Sequence, residues 1–479
     1  MNASLLSLEF AVIVTGLVLL LLDLWTDPEK KRQLGYIGAA ALGGVLLWSL
    51  RIDASTPQEA FLGAYVMDPL ALYFKRFFLV AGIAVLIMAV DFADGIAAGI
   101  GEFYSLCLLA LAGMMFAASA NNFIMLFVSI ELITVVFYIL TSFLRSKTTS
   151  LEAGIKYLIL GALSSALMVY GIALVFGVTG AMQFGDLAAK ASAHANSKLF
   201  LVGLMLVISG LAFKIAAFPL HVWAPDVYQG SPAPATAFLA VGSKAAGFAL
   251  LLRLLFGGLP AGLVGQWSGA LAGMAAITIL YGSLCAIPQR SLKRLMGYSS
   301  IANGGFMLLG IAAISQAGSA AVIYYLTGYL FTVLAAFMTI SIVTRHLESD
   351  DISAVAGLGR KSPFLAAALA LSMVSLAGVP PLAGFFGKFL LIKSVLENGA
   401  AHYWLVAVAA IGVVISLYYY FGVVRAIYWS DADESSPGPV CPTPMRIALA
   451  ACMVGMLYFG LFPSAGLALA TEASGILKF

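Results

Sequence analysis

Lys214-Ile-Ala-Ala-Phe-Pro219-Leu-His221 and Gly378-Val-Pro380-Pro381-Leu-Ala-Gly384 are the two stretches whose reading decides the fold. Each places proline inside a long apolar run. Proline removes a helical hydrogen bond and its ring clashes with the preceding turn. Each run therefore reads as an interrupted helix. Lipid offers no partner for the carbonyls that such a break frees, so a break at membrane depth must be wrapped in protein or wetted. Interrupted helices in matching positions of two halves are a pointer to an ion pathway.

The surrounding composition supports a bilayer setting. Of 479 residues, 62% are hydrophobic and 10% charged, and the mean hydropathy is +1.02. A soluble domain carries about 25% charged residues, so the chain reads as an all-α integral membrane protein. A net charge of +3 gives no basic patch for nucleic acid. Cys107, Cys285, Cys441 and Cys452 show no C-x-x-C spacing, which argues against zinc or an iron–sulfur cluster. No histidine pair faces across a bilayer core and no phosphate-binding glycine loop is present, so no redox centre or nucleotide site is expected on this chain. Met1-Asn2-Ala3-Ser4 lacks a basic region and Glu9 stands where the apolar run begins; the first segment is expected to remain as a spanning helix rather than a cleaved signal.

About fourteen spanning segments are predicted, at 4–24, 34–50, 69–90, 102–118, 122–142, 153–178, 199–219, 233–256, 265–286, 293–313, 320–344, 363–396, 402–429 and 443–463. The last follows the proline-rich stretch from Pro437 to Pro444. Counting Lys and Arg in the connections puts 13 on one side and 7 on the other when the N-terminus is outside. By the positive-inside rule both termini are then expected on the periplasmic side of a bacterial inner membrane. Ser129-Ile-Glu131 is echoed by Ser300-Ile-Ala302, Ile155-Lys-Tyr-Leu158 by Ile323-Tyr-Tyr-Leu326, and Arg253 by Arg425. Five helices separate the members of each pair, so the copies run in opposite directions. Two inverted five-helix repeats are expected, helices 4–8 and 9–13, with helices 7 and 12 broken. The corresponding division is 1–101 (three N-terminal helices), 102–256 (first repeat), 257–429 (second repeat) and 430–479 (last helix and tail).

Subtracting the connection residues leaves Lys156, Lys214, Lys244, Arg253 and Lys388 inside spans, against one deep acid, Glu131. Such a charge costs about 2.5–3.5 kcal/mol at a helix centre. One carboxylate cannot neutralise five cations. Burial disfavours the charged form of an amine, and lysine, unlike arginine, can release its proton. Glu131, Lys214, Lys244 and Lys388 are therefore candidate proton-transfer residues. Lys214 could alternatively bond the carbonyls freed near Pro219. Lys156, four residues after Glu152, reads either as a local ion pair or as a functional site, and His221 as a proton relay or a loop cap. Arg253 is expected to snorkel, Lys75 and Arg76 to anchor at the interface, Lys293 and Arg294 to anchor in the opposite connection, and Asp226 to be solvated. Tyr418-Tyr-Tyr-Phe421 is expected to pack, with its hydroxyls reaching polar groups.

These residues carry a resemblance. Lys214 through Trp223-Ala-Pro-Asp226-Val-Tyr-Gln-Gly-Ser-Pro232 to Gly242-Ser-Lys244, Ser129-Ile-Glu-Leu132, Ser150-Leu-Glu-Ala-Gly-Ile-Lys-Tyr157 and Pro380-Pro-Leu-Ala-Gly-Phe-Phe-Gly-Lys388 resemble the antiporter-like subunits of respiratory complex I. The Val227-Tyr-Gln-Gly-Ser-Pro232 form resembles the subunit N branch rather than L or M. The resemblance covers nearly the whole chain. It implies a membrane-arm subunit that translocates protons, driven by NADH:quinone electron transfer elsewhere. It also implies that Glu131 modulates Lys214, that Lys244 is the central lysine, and that Lys388 lies toward the exit. NADH, FMN, iron–sulfur clusters and quinone would belong to partner subunits, with no cofactor on this chain. The partners implied are the other membrane-arm subunits, antiporter-like subunit M and small subunits among them, within the lipid bilayer. Ala302 departs from the pattern of Glu131, so the two halves are not chemically equivalent. The alternatives are a subunit of a multisubunit sodium/proton antiporter and a non-conducting scaffold.

Overall fold

The computed structural model describes residues 3–96, 99–430 and 438–479. Met1-Asn2 of the N-terminal reading and Pro437 of the proline-rich stretch lie outside the described residues. The helices are α1 Ser7–Trp25, α2 Leu34–Ser49, α3 Pro69–Phe92, α4 Ile100–Ala118, α5 Phe123–Thr141, α6 Thr148–Thr179, α7 Phe184–Lys190, α8 Lys198–Lys214, α9 Trp223–Gly230 and α10 Ala233–Phe238. They continue as α11 Lys244–Gly257, α12 Val264–Ala286, α13 Leu292–Ala312, α14 Gln316–Leu347, α15 Leu358–Lys361, α16 Pro363–Ala377, α17 Ala383–Leu396, α18 Tyr403–Trp429, α19 Thr443–Leu461 and α20 Pro463–Ser474. Among the described residues, 11 helical stretches are long and apolar enough to cross a membrane, with α10 to α11 counted as one. The 16-residue α2 is too short for that measure, and the two interrupted runs are divided by their breaks.

Helix ends follow local chemistry. Asp68 caps α3 by accepting from the Ala71 N–H at 2.8 Å, with Pro69 at the first helical position. Asn122 caps α5 through the Met125 N–H at 2.7 Å, and Ser291 caps α13 through the Arg294 N–H at 3.1 Å. Side-chain oxygens at these positions satisfy N–H groups that the helix itself leaves open.

Both predicted breaks are present, and the two are built differently. α8 stops at Lys214 and the chain resumes as α9 at Trp223. Between them, the Trp223 indole donates to the Phe213 carbonyl at 3.0 Å, and the Phe218 N–H donates to the Thr278 hydroxyl at 3.0 Å. Lys214 does not satisfy the freed carbonyls, contrary to one of the two expectations for it; Trp223 does. At the second break, α16 ends at Gly378 in the left-handed region (φ 84°). There the Lys388 ammonium donates to the Leu376 carbonyl at 2.7 Å, so the lysine itself covers the opened helix end. A Cβ on Gly384 would lie 1.8 Å from the Ser375 carbonyl oxygen. Gly384→Ala is expected to push α16 and α17 apart at a cost of about 1–3 kcal/mol. A lower amount of membrane-inserted subunit, quantified by immunoblot, checks this; an unchanged amount and thermal midpoint would refute it.

Three features were not anticipated. A two-stranded antiparallel hairpin, Gln58–Ala60 with Tyr65–Met67, is the one sheet among the described residues. A separate helix, α20, begins at Pro463. A five-residue π-helical turn, Leu239–Ser243, ends immediately before Lys244; such turns occur frequently at functional sites.

Candidate functional site

Lys75 and the cations expected inside spans fall into two classes by their partners. Lys75 is fully buried and paired with Glu9 at 2.8 Å, and it also donates to the Tyr65 hydroxyl at 2.6 Å. Arg253 is buried and grips both oxygens of Asp68 at 2.8 and 3.0 Å, with its Nε on the Ala118 carbonyl at 2.6 Å. Lys156 holds Glu152 at 2.6 Å and Asp226 at 2.7 Å. Each of these cations has a carboxylate.

Lys214, Lys244 and Lys388 have none within ion-pair distance among the described residues, although they are only 5%, 1% and 4% exposed. Lys214 has no hydrogen-bond partner among the described residues and stands 5.8 Å from the Tyr157 ring centroid. Lys244 donates to the carbonyl and hydroxyl of Ser300 and lies 5.8 Å from the Tyr329 ring. Lys388 donates to backbone carbonyls and lies 4.7 Å from the Phe306 ring. All three amines are thus held by neutral groups or by none. An amine so placed can lose its proton without stranding a buried carboxylate, whereas a paired amine cannot.

Polar side chains join these positions. The Ser300 hydroxyl is 2.9 Å from the Tyr228 hydroxyl and accepts from that of Tyr329 at 3.2 Å. One turn along α13, Asn303 accepts from the Tyr325 hydroxyl at 2.7 Å and donates to the Ser299 carbonyl at 2.9 Å. The Ser299 hydroxyl shares a hydrogen bond with Tyr420. Gly304 on the same helix faces both the first break and the central lysine: a Cβ there would stand 2.9 Å from the Ile215 carbonyl and 3.6 Å from the Lys244 amine. The Lys214 break, Lys244 and the approach to Lys388 are therefore lined up along α13.

The sequence reading named the lysines and passed over the hydroxyls that connect them. The signals were present in Ser299-Ser300 and Asn303 on one face of an apolar helix, and in Tyr325 and Tyr329 four residues apart. Tyr420 does reach polar groups, as expected of the aromatic run, while Tyr418 is exposed.

The remaining candidates lie elsewhere. Glu131 is half-buried and accepts from the Ser165 hydroxyl; it makes no ion pair with Lys214 among the described residues. His221 is buried, with no hydrogen-bond partner for either ring nitrogen among the described residues, stacked on Phe218 at 5.6 Å and edge-on to Tyr281 at 4.3 Å. Lys156 sits at the edge of the bundle, away from the lysine file. Four expectations are corrected. Arg253 does not snorkel, because Asp68 holds it inside. Lys75 is not an interface anchor, because the hairpin carrying Tyr65 seals it with Glu9. Glu131 is not the one buried acid: Glu9, Asp68 and Asp91, all at helix ends, are buried as well, and the sequence reading expected none of them inside. Asp226 is not merely solvated: it pairs with Lys156 and Arg294, so Arg294 is a partner and not simply an anchor.

A family profile described as "NADH:quinone oxidoreductase/Mrp antiporter, TM" matches residues 120–416, which include Glu131 and all three unpaired lysines. The NADH-quinone oxidoreductase subunit N of Desulforamulus reducens is 39% identical over 463 residues, 96% of each chain. A chain of respiratory complex I from Thermus thermophilus with bound aureothin superposes with TM-score 0.81 at 33% identity, over 97% of this chain and 99% of that one. A chain of the Mrp complex from Dietzia shares the fold, with TM-score 0.87 at 21% identity over 100% of this chain and 98% of that one. The chain belongs to the NADH:quinone oxidoreductase/Mrp antiporter membrane-subunit family, within its NADH-quinone oxidoreductase subunit N branch.

Proposed function

We propose that this chain is the proton-translocating subunit N of the membrane arm of an NADH-quinone oxidoreductase, working through the file Lys214–Lys244–Lys388. One observation carries the reading: among the described residues these three buried amines lack carboxylates, while the buried cations Lys75 and Arg253 have them. A proton taken up near the first break protonates Lys214, passes to Lys244 across the Ile215–Gly304 contact, and moves along Ser300, Tyr329, Tyr325, Asn303 and Tyr420 toward Lys388. Hydroxyl groups suit this task because each both donates and accepts. Glu131 on α5 biases the first step at Lys214 of α8 through its charge, and His221 is a second acceptor beside the same break. Lys156 contributes through Asp226 and not as a carrier.

The finer architecture belongs to the same proposal. Helices 4–8 and 9–13 form two inverted repeats, divided as 102–256 and 257–429 and flanked by 1–101 and 430–479. Both termini face the periplasm of a bacterial inner membrane, and antiporter-like subunit M and small membrane subunits are neighbours. NADH, FMN, iron–sulfur clusters and quinone act on partner subunits. If the chain instead served a sodium/proton antiporter, purification in mild detergent would bring down no NADH-oxidising, iron–sulfur-containing subunits.

The reading is tested at the exit. Lys388→Met also removes the donor from the Leu376 carbonyl, so pumping is normalised to the assembled complex seen by native electrophoresis; NADH-driven acidification of inverted vesicles per complex is expected to fall by about tenfold or more. Lys388→Arg, which keeps the charge but cannot release a proton, is expected to fare no better. Wild-type acidification in both variants would refute the role.

A further inference from the structure

The half-helix α9 carries a carboxylate and a hydroxyl that face opposite ways. Asp226 points to the bundle edge, and Tyr228, two residues on, points to the core; two residues are about 200° around a helix. Asp226 Oδ2 accepts from Lys156 of α6 at 2.7 Å, and Oδ1 accepts from Arg294 of α13. Arg294 also reaches Gln229 of α9 at 3.4 Å. On the inner side, the Tyr228 hydroxyl lies 2.9 Å from the Ser300 hydroxyl, which holds Lys244. The helix is wedged between its neighbours: a Cβ on Gly230 would lie 2.3 Å from the Thr149 carbonyl of α6, and one on Gly297 of α13 would lie 2.8 Å from Pro225 Cα.

We propose that Asp226 is a positioning residue, tethering α9 to α6 and α13 so that the Tyr228 hydroxyl stays in register with Ser300 and Lys244. This rests on the proposed lysine pathway and assigns the residue that holds its entrance half-helix. α9 follows a helix break, so no continuous helix fixes its rotation or height; two salt links to different helices do so beside the close Gly230–Thr149 and Gly297–Pro225 contacts. Lys156 has a second carboxylate, Glu152, at 2.6 Å. It can therefore let go of Asp226 and keep Glu152, which releases one side of α9 while Arg294 keeps the other. The link to α6 is thus the adjustable one.

The test is a double-mutant cycle in the assembled enzyme, read as proton pumping in inverted vesicles alongside NADH oxidation. Asp226→Asn and Tyr228→Phe are each expected to slow pumping at least about threefold, and the double variant to be no slower than the slower single. Asp226→Glu is expected to restore most of the rate. Multiplying losses in the double variant, or wild-type pumping in Asp226→Asn, overturns the proposal. Should Asp226→Asn fail to assemble, Lys156→Met, a change at a half-exposed site, supplies the second arm. Slowed pumping that is not slowed further by added Tyr228→Phe supports the tether; wild-type pumping sinks it. Lys244→Met in parallel separates the two readings. If Lys244→Met pumps normally, the pathway itself is wrong; if it is impaired while Asp226→Asn is normal, only the tether is.

Discussion

Lys244→Met is expected to reduce NADH-driven proton translocation by roughly two orders of magnitude, the lower range for removal of a positioned proton-transfer group, while the subunit assembles at its ordinary level. Lys244 is almost fully buried, and among the described residues its amine hydrogen-bonds Ser300 and lies against the Tyr329 ring, with no carboxylate. Methionine fills the volume without a charge, so no buried carboxylate is stranded and the bundle is not asked to absorb an unpaired ion. Removing a deep charge relieves an insertion cost, and stability should stay level or rise. Function and stability are thus expected to move apart at this residue. The measurement is the quench of a pH-sensitive dye by inverted vesicles, with assembly followed by native electrophoresis. Undiminished pumping with normal assembly would remove Lys244 from the pathway.

The opposite behaviour is expected at Arg253, nine residues farther along α11. Arg253→Met leaves Asp68 buried without its partner, and stranding one member of a buried pair costs about 3–5 kcal/mol. Asp68 also caps α3, so its charge cannot simply turn to water. Loss of the subunit from the membrane is the expected outcome, quantified by immunoblot and by the thermal midpoint of solubilised complex. The double variant Asp68→Leu with Arg253→Met should regain much of the loss, because replacing a buried ion pair by apolar groups of like size is often neutral or stabilising. Equal loss in single and double variants would show that the ion pair is not what holds α11 to α3. Lys244 and Arg253 share a helix and nearly the same burial; their partners alone set these opposite expectations.

The same contrast explains which parts of the site were legible in the sequence. Lysine in an apolar run is conspicuous because it is costly there, so Lys214, Lys244 and Lys388 stand out from composition and spacing alone. Serine, threonine and tyrosine are cheap in such runs, so Ser300, Asn303, Tyr325 and Tyr329 do not announce themselves. Glu9 was discounted because it lies near the start of its helix, where a charge ordinarily meets water. Only the hairpin at Tyr65, folded over it from fifty-six residues away, turns that edge into an interior.

By itself the sequence determined the bilayer setting, the helical class, the two interruptions and the unusual amines, because each of these is a local matter of hydropathy, of proline's missing N–H, or of the cost of charge in lipid. The tertiary structure alone decided which cations are neutralised. That depends on carboxylates brought from other helices: Asp68 to Arg253, Glu9 to Lys75 and Asp226 to both Lys156 and Arg294. Ion pairing acts over a few ångströms, and those ångströms are set by packing between segments as many as 185 residues apart.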